Sequence, residues 1–204
     1  MSGISSSSDS FVHLHVHSEY SMLDGAARVK PLVNAAVEAG MPAIAITDHG
    51  NMFGAYDFWN AATDAGIKPI IGTEAYLTPG THRTDKTRIR WNNGGDDDVS
   101  GGGAYTHMTL LSSSTEGMHN LFKMSSLASL EGYYFKPRMD RELLNTYGKG
   151  LIATTGCPGG EIQTRLRIGQ YDEARAAAAE FRDIFGKENF FVEIMDHGLD
   201  IERR

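Results

Sequence analysis

The chain has a single cysteine, Cys157, among 204 residues. One thiol cannot close an internal disulfide, so a disulfide-stapled secreted fold is excluded and a reducing cytoplasm is the expected setting. Long apolar runs are missing too. No stretch approaches the ~20 residues of a transmembrane helix, and no basic segment followed by an apolar one stands at the N-terminus. Neither a membrane protein nor a secreted one is expected. Basic residues are outnumbered, 19 Lys and Arg against 26 Asp and Glu, for a net charge of −7. That balance excludes an unaided electrostatic grip on nucleic acid, and a phosphate substrate would need metal ions to offset the repulsion. What the chain does have is ordinary globular composition, 41% hydrophobic and 22% charged, over the length of one domain. It also has eight histidines, several in short, spaced clusters.

Residues 1–10 are polar and patternless and read as a disordered start, leaving 11–204 as one domain. From Phe11 onward short apolar runs alternate with helical patterns. Strands are predicted over 11–15, 43–47, 68–74, 107–111, 151–155 and 190–194. Between them, Val29, Leu32, Val33 and Ala36 mark a helix closed by Gly40, and Ala55, Phe58, Trp59 and Ala62 mark one stopping at Gly66. Further helices are predicted over 118–130, with Met118, Leu121 and Phe122 on one side, and over 171–185, with Ala174, Ala177, Ala178 and Phe181 on one face. Residues 79–103 break the rhythm. They read as a flexible insertion within the domain, and their glycine- and aspartate-rich part (92–103) offers almost nothing to bury. Strand–helix alternation predicts an α/β fold with a parallel sheet, doubly wound or closed as a barrel, and functional groups at the carboxyl ends of its strands.

Candidate ligands fall at those ends. His13, His15 and His17 alternate and would share one side of a strand, with Asp24 following in Asp24-Gly25. His49 follows the second strand, Glu74 ends the third, and Cys157 follows the fifth. Imidazole, carboxylate and thiolate on one rim are what zinc or a similar transition metal requires. His107 fits less well, because the start of a parallel strand lies on the opposite rim. His82 and His119 read as ordinary polar histidines, and His197 as a weaker candidate.

Four motifs carry a resemblance. Residues 13–25 (HLHVHSEYSMLDG), 47–54 (TDHGNMFG), 66–76 (GIKPIIGTEAY) and 155–162 (TGCPGGEI) resemble those of the polymerase and histidinol phosphatase (PHP) superfamily. The likeness is to the form found at the N-terminus of bacterial DNA polymerase III alpha subunits. It implies a distorted seven-stranded TIM-like βα barrel holding up to three ions of zinc, or of manganese or iron. The ligands it implies are His15, His17, Asp24, His49, Glu74, His107 and Cys157. The family's last motif, an Asp-x-His pair, has no counterpart before Arg204, so an incomplete domain is expected.

The resemblance further implies a metal-dependent 3′–5′ exonuclease that hydrolyses phosphodiesters at a DNA primer 3′ end for proofreading. Its implied partners are the remaining polymerase domains and replisome subunits such as the sliding clamp, with no membrane. Asp24, His49 and Glu74 would serve the chemistry as metal ligands, and polymerase chemistry would lie outside these residues. Two rivals stand beside this reading. One is a metal-stabilised structural module without catalysis, and the other a small-molecule phosphoesterase similar to histidinol phosphatase.

Overall fold

The computed structural model describes residues 11–91 and 101–203. The expected disordered start, and residues 92–100 of the expected insertion, lie outside them. Among the described residues there are six strands and six α-helices, a mixed α/β fold as the alternation predicts. The chain divides into two compact units, Met1–Thr73 and Glu74–Arg204.

In the first unit, α1 (Val29–Glu38) and α2 (Ala55–Asp64) pack with β1 (Ala43–Ile46) and the first half of β2 (Lys68–Leu77). β1 pairs in parallel with β2, Ala43 opposite Lys68 and Ile46 opposite Ile71. Every β1 residue is buried, which suits a strand covered on both faces. Val29, Val33 and Ala36 of α1 meet Ala55, Phe58 and Ala62 of α2 in one core. Phe58 is fully buried, so its truncation to alanine would cost about 3–5 kcal/mol. Gly40 takes a positive φ just past α1, as the predicted helix stop requires. Trp59 is a correction. It lies off this face and is half exposed.

A second correction concerns residues 11–17. They run beside β1, with Ala45 donating to the His13 carbonyl and Thr47 to the Val16 carbonyl, yet form no regular strand. The Val16 N–H turns to the Thr47 hydroxyl at 2.7 Å instead of a carbonyl, and this interrupts the ladder. Strand alternation therefore does not hold there, and His13 stands exposed against the edge of Phe11.

In the second unit, the rest of β2 pairs in parallel with the two-residue β4 (Arg138–Met139) and neighbours β3 (Thr106–Ser112), which leads on to β5 (Leu151–Thr154) and β6 (Phe190–Phe191). Four helices accompany them: α3 (Thr115–Leu130), α4 (Arg141–Tyr147), α5 (Glu161–Arg167) and α6 (Tyr171–Phe185). Ser114 caps α3 through the Gly117 N–H at 3.0 Å, and Asp140 caps α4 through the Leu143 N–H at 3.0 Å. Met108, Leu110, Leu121, Met124, Leu144, Leu151 and Phe181 are among the buried side chains. On α3 the inward stripe is Gly117, Leu121, Met124 and Ala128, while Phe122 faces outward, contrary to expectation.

The sheet is not all parallel. β3 runs antiparallel to β5, with Thr109 opposite Thr154 and Ser112 opposite Leu151. The start of β3 therefore lies level with the exit of β5, and a bridge joins His107 to Gly160. This reversal removes the difficulty of a ligand at the beginning of a strand. β2 also continues three residues past Glu74, and β6 stops at Phe191, short of the predicted 194.

Candidate metal centre

The first unit gathers His17, Asp24 and His49, whose ligand atoms all lie within 4.8 Å of one another. His49 Nε2 meets Asp24 Oδ2 at 2.6 Å, the His17 and His49 ring centroids are 4.1 Å apart, and His15 stacks on His17 at 5.2 Å. These side chains come from the segment 15–24, which ends in a short 3-10 helix (Glu19–Asp24), and from the turn after β1, and a buried carboxylate ties the two together. Asp48 accepts from the Ser18 N–H at 2.7 Å, the Ser18 hydroxyl at 2.8 Å and the Ser21 hydroxyl at 2.6 Å. The Ser21 hydroxyl in turn accepts from the His49 N–H at 3.2 Å. Thr73 donates to the Asp48 carbonyl at 2.9 Å and fixes the same turn from the end of the unit.

Gly25 explains the Asp-Gly pair. A Cβ there would fall 1.8 Å from the Ser18 carbonyl oxygen, so the loop carrying Asp24 can fold back only over glycine. Asp24 itself reaches into solvent, 74% exposed in its side chain, whereas His49 is largely covered.

The second unit gathers Glu74, His107 and Cys157. His107 Nδ1 donates to Glu74 Oε1 at 2.5 Å, the Cys157 thiol donates to the same oxygen at 3.1 Å, and Sγ lies 3.4 Å from Nδ1. Glu74 is only 1% exposed. A glycine-rich turn seats the thiol against the imidazole. His107 N–H donates to the Gly159 carbonyl at 3.0 Å, and a Cβ on Gly159 would press within 3.3 Å of the His107 ring. Burial first, and then the Glu74 charge, pushes the Cys157 thiol well above its ordinary value. Tyr76 packs edge-on to His107, with centroids 5.1 Å apart.

Both sets have the donor chemistry of a borderline-soft divalent ion: imidazole with carboxylate in one, imidazole, carboxylate and thiol in the other. Magnesium and calcium favour all-oxygen shells and fit less well. The residues present fit a zinc-like metal.

The other histidines stay outside these sets. His197 is exposed and bound to Glu202 at 2.6 Å, and His119 is exposed on α3. His82 groups with Asp140 and Glu142. There, Arg83 Nη1 already stands 3.1 Å from Asp140 Oδ2 and 3.4 Å from Glu142 Oε2, where a cation would be needed. Sequence reasoning missed Asp48, whose signal was only its place between Thr47 and His49. It also missed Glu193, which accepts from the Thr154 hydroxyl and donates its N–H to the Thr155 hydroxyl beside the Cys157 turn.

Residues 13–197 match the PHP domain. The DNA polymerase III subunit alpha of Saccharopolyspora erythraea is 59% identical over 96% of this chain. That of Mycobacterium tuberculosis is 58% identical over 100% of it. The chain spans 17% of the length of each of these relatives. An amidohydrolase of known structure from Chromobacterium violaceum is similar at 14% identity over 89% of this chain and 84% of that one, with a TM-score of 0.46. With the family model covering nearly all of the described residues and both donor sets falling on its matched span, the chain belongs to the PHP domain family.

Proposed function

We propose that the chain is the metal-dependent phosphoesterase module of a DNA polymerase III alpha subunit, acting as a 3′–5′ exonuclease on a DNA primer end. The observation that supports this best is the exposed Asp24 beside the half-buried His17 and the largely covered His49, a donor set open on one side. A structural metal site is closed by protein donors, whereas a hydrolytic one keeps a position for water or substrate. His15, His17, Asp24 and His49 would hold metal in the first unit, and Glu74, His107 and Cys157 in the second. Zinc, manganese or iron, when bound, supplies Lewis acidity and lowers the pKa of water enough for phosphodiester hydrolysis near neutral pH.

The chain's own residues do the rest. Asp24 and Glu74 would offset the charge of bound ions, and Asp48 ties the His49 turn to the segment that carries Asp24. His107 is oriented by Glu74 through its Nδ1 hydrogen bond. With a net charge of −7 the chain would repel a phosphate backbone, and metal held at these donor sets would offset that repulsion. The remaining polymerase domains and the sliding clamp are the proposed partners, in the cytoplasm. No helix among the described residues is long and apolar enough to cross a membrane.

A metal-stabilised structural module without catalysis is the second reading. What favours it is the buried, mutually hydrogen-bonded Glu74–His107–Cys157 set, which resembles a closed site. Elemental analysis paired with a nuclease assay on matched and mismatched primer ends decides between them. His15→Ala with His17→Ala is expected to lower metal content and to reduce exonuclease activity at least about a hundredfold, in line with loss of ligands at a hydrolytic metal. His119→Ala should do neither. Wild-type metal content in the double variant would overturn the ligand assignment. Lost metal with no nuclease in the parent protein would leave the structural module.

A further inference from the structure

The second unit also presents aromatic rings to solvent on a loop pinned from beneath by hydrogen bonds. Between α3 and β4, residues 132–136 read Gly-Tyr-Tyr-Phe-Lys, and Tyr133 and Phe135 are 62% and 59% exposed. Phe135 has a φ of +61°, a conformation a bulky residue adopts only where its surroundings impose it. The surroundings are dominated by Arg138, whose guanidinium is buried beneath the loop. It donates to the carbonyls of Gly132 at 3.0 Å, Ala104 at 3.2 Å, Arg83 at 2.8 Å and Asp85 at 2.9 Å, and lies 5.0 Å from the Tyr134 ring centroid. A Cβ on Gly132 would fall 2.0 Å from the Arg138 carbonyl oxygen, so only glycine lets the loop sit this low.

The same guanidinium holds the segment that leads into three further cations, of which Arg88 stands beside the rings. Its Arg83 and Asp85 acceptors lead directly into Lys86, Arg88 and Arg90, all exposed. Arg88 Cζ stands 5.0 Å from the Phe135 centroid and 6.0 Å from that of Tyr134. Lys136 Nζ lies 5.4 Å over Tyr76, the ring that packs on His107. Exposed rings interleaved with cations, in a chain that is acidic as a whole, form a local surface complementary to a polyanion with flat, unpaired bases. A duplex hides its base faces, and exposed rings set beside cations suit stacked bases and phosphates better than the carboxylates of an acidic protein.

We infer that Tyr133, Phe135 and Arg88, flanked by Lys86, Arg90 and Lys136, form a stacking platform for single-stranded DNA. Bases rest on the rings while the cations follow the phosphates, without reading base identity. The inference deepens the exonuclease reading, and rests on it, by naming the form of the substrate: an unpaired end rather than a duplex one.

The test is fluorescence anisotropy of a labelled single-stranded thymidine oligonucleotide on the full chain, in EDTA so that metal plays no part. Wild-type protein is expected to bind the single strand, with a blunt duplex of equal length competing poorly. Tyr133→Ala with Phe135→Gly should weaken binding by about tenfold or more. Glycine is chosen because it accepts the positive φ without strain, so the loop keeps its path. Arg88→Ala should lower affinity and flatten its salt dependence, while Phe135→Trp should retain binding. Unchanged affinity in the double variant, or equal competition by the duplex, would overturn the platform. Should the double variant melt without cooperativity, Arg88→Ala decides, and an unchanged salt slope there overturns the inference. Ring-dependent binding by a protein devoid of nuclease activity would uphold the platform and sink the exonuclease reading. Nuclease activity without ring-dependent binding would do the reverse.

Discussion

In the first unit an exposed carboxylate, Asp24, leans on a covered histidine across a loop. In the second a buried one, Glu74, accepts hydrogen bonds from both His107 and Cys157. The donor types are nearly the same and the surroundings are opposite. Around Asp24, water screens the charge and can replace any partner, so the pair contributes little to folding by itself. Around Glu74, water is excluded, so each hydrogen bond is worth more and each lost partner leaves an unsatisfied group. The first set lies open to solvent, and the second holds its own geometry.

Glu74→Ala should have the largest effect on stability. It removes the buried acceptor that His107 and Cys157 share, and about 2–4 kcal/mol should be lost in urea unfolding of the metal-free protein. A loss under about 1 kcal/mol would show that water reaches the second set after all. Asp48→Asn comes next. It exchanges one acceptor oxygen for an amide that faces the serine hydroxyls and the Ser18 N–H. Roughly 1–2 kcal/mol of stability and about tenfold in metal affinity at the first set should go with it, measured by unfolding and by metal titration. Unaltered metal affinity would mean that the two segments hold position without Asp48. The smallest effect belongs to Asp24→Ala, which should change metal-free stability by no more than about 0.5 kcal/mol while still lowering metal content. If it destabilises as much as Glu74→Ala, the contrast between the two sets is wrong.

Much of this was readable from residue order. The stop at Gly40, the buried run 43–46 and the alanine face of α6 each follow from local pattern, because helix periodicity and strand burial leave traces within a few residues. The direction of β3 leaves no such trace. An apolar run has the same composition whichever way its neighbour points, so His107 looked misplaced until its pairing with β5 was known. Trp59 and Phe122 carry apolar character onto outward faces, which hydrophobicity alone misassigns. The candidate ligands stood out because imidazole, thiol and carboxylate are rare together. Asp48 did not, since its role lies in hydrogen bonds to Ser18 and Ser21, some thirty residues earlier.

Arg138 carries a consequence for how variants of this unit behave. Its positive charge is taken up by main-chain carbonyls of three separate stretches, at 83–85, 104 and 132. A carbonyl cannot be removed by changing a side chain, so the knot has only one end at which mutation can untie it. Lysine, a point charge on a flexible stem, cannot reach the same fork of acceptors. Substitution at this one position would let the aromatic loop, the cationic row and the start of β3 drift apart together. The resulting loss of function would look like damage to a binding surface although the arginine itself touches no ligand.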